Sequence, residues 1–86
     1  MLLYQVSITR AAEKEISQLP KTYYLPVRSA ILKLADHPRP AGSKKLRGFE
    51  NTYRVRVGPY RIIYVVADTL RIVTVTRVAH RSNVYD

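Results

Sequence analysis

The chain opens with apolar and polar positions in alternation. Tyr4, Val6 and Ile8 fall on one face and Gln5 and Ser7 on the other, a period of two that predicts a half-buried strand over Leu3 to Ile8. The period then lengthens. Ala12, Ile16 and Leu19 recur at helical spacing, Thr9 stands ready as an N-cap, and Glu13 and Glu15 lie near the positive helix end. Pro20 stops this first helix. Val27, Ala30, Ile31 and Leu34 form the stripe of a second helix over about residues 23–36, with Pro26 in its first turn, where a missing N–H costs nothing.

The stretch His37-Pro38-Arg39-Pro40-Ala41-Gly42-Ser43 reads as a loop from its proline and glycine content. Three strands follow it. In Tyr53–Val57, Tyr53, Val55 and Val57 face one way and Arg54 and Arg56 the other. Gly58-Pro59 turns the chain into Tyr60–Ala67, apolar on both faces apart from Arg61, as befits a central strand covered by helices. Asp68-Thr69 turns it again into Leu70–Val78, rich in β-branched residues, and Ala79 to Asp86 forms a polar tail. The order β-α-α-β-β-β with short hairpins predicts an α+β fold. In it two N-terminal helices pack on one face of an antiparallel sheet, and the arginines occupy the other.

Composition narrows the possibilities. The chain has 86 residues, one domain spanning 1–86, and 47% of them are apolar, enough for one core. It has no cysteine, which removes thiolate metal sites and cysteine nucleophiles and fits a reducing compartment. The longest apolar run, Ile62 to Ala67, is far short of the roughly 20 residues of a spanning helix. The N-terminal Met-Leu-Leu-Tyr-Gln-Val has neither region of a signal peptide, so a cytoplasmic location with no membrane partner is expected.

Charge points further. Fifteen Lys and Arg against six Asp and Glu give +9, and residues 44–86 hold nine of those bases against three acids. Such an excess attracts polyanions, and RNA is the expected one; a basic surface kept for solubility is the plainer alternative. Arg54 and Arg56 alone fit a solubilising sheet face. Arg61 is different, because a guanidinium in the most apolar strand calls for a carboxylate or an anionic ligand, and only Glu50 and Asp68 are near it in sequence.

Cleavage of RNA by its own 2′-OH needs a proton acceptor, cations at phosphorus and an acid for the departing oxygen. Arginine supplies only the cation. His80, beside Arg81, titrates near neutrality, and Tyr85 can exchange a proton or stack on a base; either can carry the proton chemistry. The scattered carboxylates, the isolated glycines and the lone pair His37 and His80 argue against a two-metal nuclease, a phosphate loop and a zinc site.

Three segments in order then resemble one known family. Lys45-Leu46-Arg47-Gly48, Tyr53-Arg54-Val55-Arg56-Val57-Gly58-Pro59-Tyr60-Arg61-Ile62-Ile63-Tyr64 and Val78-Ala79-His80-Arg81-Ser82-Asn83-Val84-Tyr85 resemble the RelE family of the RelE/ParE toxin superfamily, and the element order fits along the whole chain. The resemblance implies a RelE-like, microbial-ribonuclease-type fold and the toxin of a type II toxin–antitoxin pair. Such toxins enter the ribosomal A site and cut mRNA without metal or cofactor, leaving a cyclic phosphate and a 5′-OH.

Carried over by position, Arg61 and Arg81 match the arginines that stabilise the scissile phosphate, and Tyr85 the C-terminal tyrosine of catalysis or stacking. Arg54 and Arg56 match two basic strand residues, lysines in some relatives, where a lysine can pass a proton and an arginine cannot. His80 is the substitute in that role. Lys44, Lys45, Arg47, Arg54, Arg56 and Arg77 then read as docking charges for mRNA and rRNA. The chain ends just past Val84-Tyr85, without the length for the extra terminal helix of some relatives. The implied partner is a RelB-like antitoxin encoded adjacently, acidic where it binds, which wraps the toxin in a hetero-oligomer and covers or displaces the Tyr85 tail. The competing expectations are a ParE-like gyrase inhibitor that cuts nothing, and a non-catalytic RNA- or DNA-binding module.

Overall fold

The structure, a computed structural model, describes residues 3–81. Strand β1 (Gln5–Ile8) alternates exposed and half-buried positions as its sequence does. Helix α1 (Arg10–Ser17) starts at Thr9, whose Oγ1 accepts the Ala12 N–H at 3.2 Å, and it buries Ala12 and Ile16. Helix α2 (Lys21–Lys33) begins two residues earlier than its stripe suggests, because Pro20 already supplies extended entry geometry at the N-cap position. Pro26 therefore sits in the second turn and denies the Thr22 carbonyl its usual donor. Burial of Val27, Ile31 and Leu34 offsets that loss.

Four more strands follow: β2 (Lys44–Lys45), β3 (Thr52–Val57), β4 (Tyr60–Ala67) and β5 (Ile72–His80). The two-residue β2 was not legible as a strand. Likewise β5 starts later than Leu70, since the turn from β4 takes four residues. Arg71 closes that turn with φ 55°, its N–H donating to the Asp68 carbonyl at 3.2 Å, and Leu70 is left exposed.

The sheet order is β1-β5-β4-β3-β2. Strands β2 to β5 form an antiparallel meander, but β1 pairs in parallel with β5, so the sheet is mixed rather than wholly antiparallel. The segment after β1 carries the chain to the far edge of the sheet at β2, and the meander from there ends with β5 beside β1, running in its direction. Both helices lie on one face, where Ala12, Ile16, Val27, Ile31 and Leu34 meet Ile62, Tyr64, Val66, Val73, Val75 and Val78. Among the described residues no helix is long and apolar enough to cross a membrane.

One irregularity sets which β5 side chains reach the open face. Ile63 pairs with Arg77 but Tyr64 pairs with Val75, so Thr76 is an extra residue in β5. Before the bulge, Val73 and Val75 face the helices. After it Val78 does, and Arg77 and Ala79 turn to the open face.

Candidate functional site: an arginine cleft on the open face

The site begins at the β3–β4 hairpin. Val57 pairs with Tyr60, leaving Gly58-Pro59 as a two-residue turn. Proline cannot take positive φ, so the turn must place it second and a left-handed residue first; Gly58 has φ 57°. Space also demands glycine, since a Cβ there would lie 2.6 Å from Cε1 of Tyr23 on α2. The tight hairpin sets Arg56 directly opposite Arg61. Arg81 is brought to the same place from the end of β5, its N–H donating to the Pro59 carbonyl at 2.8 Å.

Among the described residues, Arg56, Gly58, Pro59, Arg61 and Arg81 thus line a cleft of about 220 Å³. Like charges directly opposite on paired strands repel. Three guanidiniums converging on one small hollow make it complementary to an anion with several oxygens, such as a phosphodiester.

The other expected site residues divide sharply. Arg54 shares this face one pleat from Arg56 but is only 5% exposed, so it adds positive potential beneath the surface rather than an outstretched contact. Lys44 pairs with Arg54 and Lys45 with Tyr53 on the exposed edge strand β2, and Arg47 lies in the β2–β3 loop. Arg77 is held by Glu15 of α1, Nε to Oε2 at 3.1 Å, which reduces its charge as a docking group.

His80 is not in the cleft. It pairs with Tyr60 on the helix side, its ring edge-on to Tyr60 at 5.6 Å, and Tyr60 in turn lies 5.2 Å from Tyr23. The Thr76 bulge is the cause, because it fixes which of the last β5 residues face the arginines. Tyr85 lies outside the described residues.

Two features escaped the sequence reading. Glu15 lies beyond the first turn of α1, so of the two glutamates only Glu13 meets the positive helix end. The Glu15 carboxylate instead accepts the Val78 N–H at 2.7 Å, where β1 has ended and, among the described residues, no strand pairs with β5 on that side. Asp68 accepts from Tyr4 and Arg39, and Arg39 also donates to the Tyr53 hydroxyl at 3.1 Å, tying the 37–43 loop to the sheet. The Arg39 hydrogen bond, followed by that of Tyr4, holds the Asp68 carboxyl below its ordinary range. Nothing in the local sequence signals either link, since the contacts of Glu15 and of Asp68 all join residues more than 25 positions apart. Among the described residues no three His, Asp or Glu side chains gather as a metal site.

Comparison with known proteins agrees with this architecture. The family model described as the ParE toxin of the type II toxin–antitoxin system parDE matches residues 6–85. Toxin RelG of Mycobacterium tuberculosis is 30% identical over 83 residues, which is 95% of this chain and 95% of that protein. Among solved structures, the RelE–RelB complex of the archaeon Pyrococcus horikoshii matches with a TM-score of 0.81 at 28% identity, covering 94% of this chain and 98% of that one. The RelBE2 toxin–antitoxin complex of Mycobacterium tuberculosis matches with a TM-score of 0.80 at 29% identity, covering 93% and 100%.

Proposed function

The chain belongs to the RelE/ParE superfamily and is a RelE-like toxin of a type II toxin–antitoxin system; from that premise we propose that it is an endoribonuclease cutting mRNA in the ribosomal A site. The observation that carries this reading is the convergence of Arg56, Arg61 and Arg81 on one cleft. In the proposed reaction the ribose 2′-OH loses its proton and attacks the adjacent phosphorus. The bond from phosphorus to the 5′ oxygen breaks, leaving a 2′,3′-cyclic phosphate and a 5′-OH that takes up a proton. Negative charge grows on the phosphoryl oxygens in the transition state. Fixed guanidiniums aimed at those oxygens stabilise it without reorganising, which is the largest contribution such a site can make.

Arginine stays protonated and moves no proton. A group that does so must come within hydrogen-bond reach of the 2′ or 5′ oxygen. His80 packs on Tyr60 across the sheet from the arginines, and we assign it to supporting that end of β4 and β5. Proton transfer then falls to Tyr85, on its correspondence with the family's C-terminal tyrosine. Lys44, Lys45 and Arg47, exposed at the other sheet edge, suit phosphate docking on mRNA and rRNA. The partner in the cell is a cognate antitoxin, as the RelB–RelE complexes among its structural relatives support, and an acidic segment of it would neutralise the cleft.

The test is cleavage on programmed ribosomes, mapped by primer extension. Cuts at the A-site codon, abolished in an Arg61→Ala/Arg81→Ala double variant, are expected. A second reading, inhibition of gyrase without cleavage, is favoured by the ParE description of the matching family model. Intact mRNA together with blocked supercoiling would establish that reading instead.

A further inference from the structure

One exposed aromatic side chain lies outside the arginine cleft. Phe49, the only phenylalanine of the chain, sits in the loop between β2 and β3 and is 61% exposed. The loop holding it is internally tied. The Leu46 N–H donates to the Thr52 carbonyl at 2.8 Å, the Thr52 hydroxyl to the Glu50 carbonyl at 2.9 Å, and the Val66 N–H to the Asn51 carbonyl at 2.9 Å. Gly48 at φ 85° and Asn51 at φ 54° make the required turns. A large apolar ring is thus presented to solvent on a braced loop, which lowers the backbone-ordering cost of binding.

Its surroundings define what it fits. On one side Phe49 borders a hollow shared with Lys45 and Arg47, where Glu50 is the one acid among the described residues. On the other it borders an apolar hollow of about 350 Å³ over Ile63 and Val65, on the same sheet face as Arg61. Four residues of β4, about 13 Å, separate Arg61 from Val65. A strand with one phosphate in the arginine cleft, running down this face, would bring a neighbouring base over Ile63 and Val65. Cations beside an exposed ring, with an apolar floor, match the two halves of a nucleotide.

We propose that Phe49 is a base-stacking platform for single-stranded RNA, with Lys45 and Arg47 holding the flanking phosphates and Ile63 and Val65 flooring the base. This rests on the reading of the protein as an RNA-cutting toxin and adds to it a second contact point outside the arginine cleft. A ring contact recognises the π-face of any base, so the platform serves affinity and register rather than sequence choice.

The chain contains no tryptophan, so Phe49→Trp introduces a single reporter. Titration of the full-length toxin, freed of antitoxin, with a short unstructured RNA oligonucleotide should quench that tryptophan. Phe49→Ala should bind the oligonucleotide roughly 5- to 100-fold more weakly, and Phe49→Tyr close to wild type. On programmed ribosomes the same Phe49→Ala change should raise KM far more than it lowers kcat. Thermal melts matching wild type exclude misfolding, as expected for an exposed side chain. An unquenched tryptophan, or wild-type oligonucleotide affinity and KM in Phe49→Ala, overturns the proposal while cleavage by wild type keeps the functional reading. Loss of antitoxin affinity with unchanged RNA behaviour would likewise overturn it and mark the ring as a protein-docking surface. A wild-type toxin that neither binds RNA nor cuts it would sink the functional reading and this one together.

Discussion

Replacing Glu15 by alanine isolates the contact that closes the free edge of β5. Its carboxylate makes two interactions with that strand: Oε1 accepts the Val78 N–H at 2.7 Å, and Oε2 pairs with Arg77 at 3.1 Å. The first is the larger. Val78 is 2% exposed, and a backbone N–H left there without an acceptor costs about 1–3 kcal/mol, the lower limit applying where water fills the vacated edge. The ion pair is partly exposed at both ends and adds less than about 1 kcal/mol. Alanine returns up to about 0.4 kcal/mol as a better helix former. The net loss is about 1–3 kcal/mol, equivalent to roughly 4–8 °C of melting temperature for each kcal/mol in a domain of this size. Glu15→Gln keeps an oxygen for the Val78 N–H and should lose less than about 1 kcal/mol. Urea and thermal melts measure the totals, and amide exchange at Val78 locates them, accelerating in the alanine variant alone. An alanine variant within about 0.5 kcal/mol of wild type, or equal exchange in both variants, would refute the assignment of Glu15 as the edge partner.

Three further outcomes are expected. Arg61→Ala and Arg81→Ala should each lower kcat on programmed ribosomes by about 10²- to 10³-fold, the range for removing one charge-stabilising group; retained cleavage in either would move the phosphate elsewhere. Gly58→Ala forces a side chain into positive φ and against the Tyr23 ring, so a destabilisation of about 1–3 kcal/mol and a loss of activity exceeding that of the fold are expected in parallel melting and cleavage assays. Asp68 has its carboxyl lowered from 3.8 by Arg39 and Tyr4, so its stabilising effect is complete above that pH and is lost as pH falls through the depressed folded value. Asp68→Asn should therefore flatten the acid limb of a stability–pH curve below about pH 4 and leave the limb above pH 6 unchanged, apart from a uniform offset.

Much of the fold was legible because it depends on short-range periodicity. The helix period of Ala12 and Ile16, the Thr9 cap and the alternation through Tyr53, Val55 and Val57 each report a local choice that burial then enforces. The sidedness of the sheet followed, since two amphipathic helices on consecutive segments cover one face of the sheet and leave the other open. The pairing of β1 with β5 was harder. It depends on which edge the meander returns to, and no residue in Gln5–Ile8 encodes that. Short β2 carries two lysines, a composition that reads as loop and serves to blunt a sheet edge.

The arginines show the same division within the functional site. That Arg56 and Arg61 stand opposite each other was determined by sequence alone: a two-residue Gly-Pro turn permits no other register, and register sets the face. His80 and Arg81 could not be sorted that way. Strict alternation from Val73 and Val75 would have sent His80 to the arginine face and Arg81 to the helices. One extra residue, Thr76, inverts the parity, and the Pro59 carbonyl then captures the Arg81 N–H. A bulge is chosen by packing across the sheet, where Val78 must reach the core beside Ile62, and not by any preference of threonine itself. The positive charge, the turn and the opposed arginines were therefore determined by the sequence. Which third residue completes the cleft was decided only when the strands paired, because a strand has no fixed face until its partners set its register.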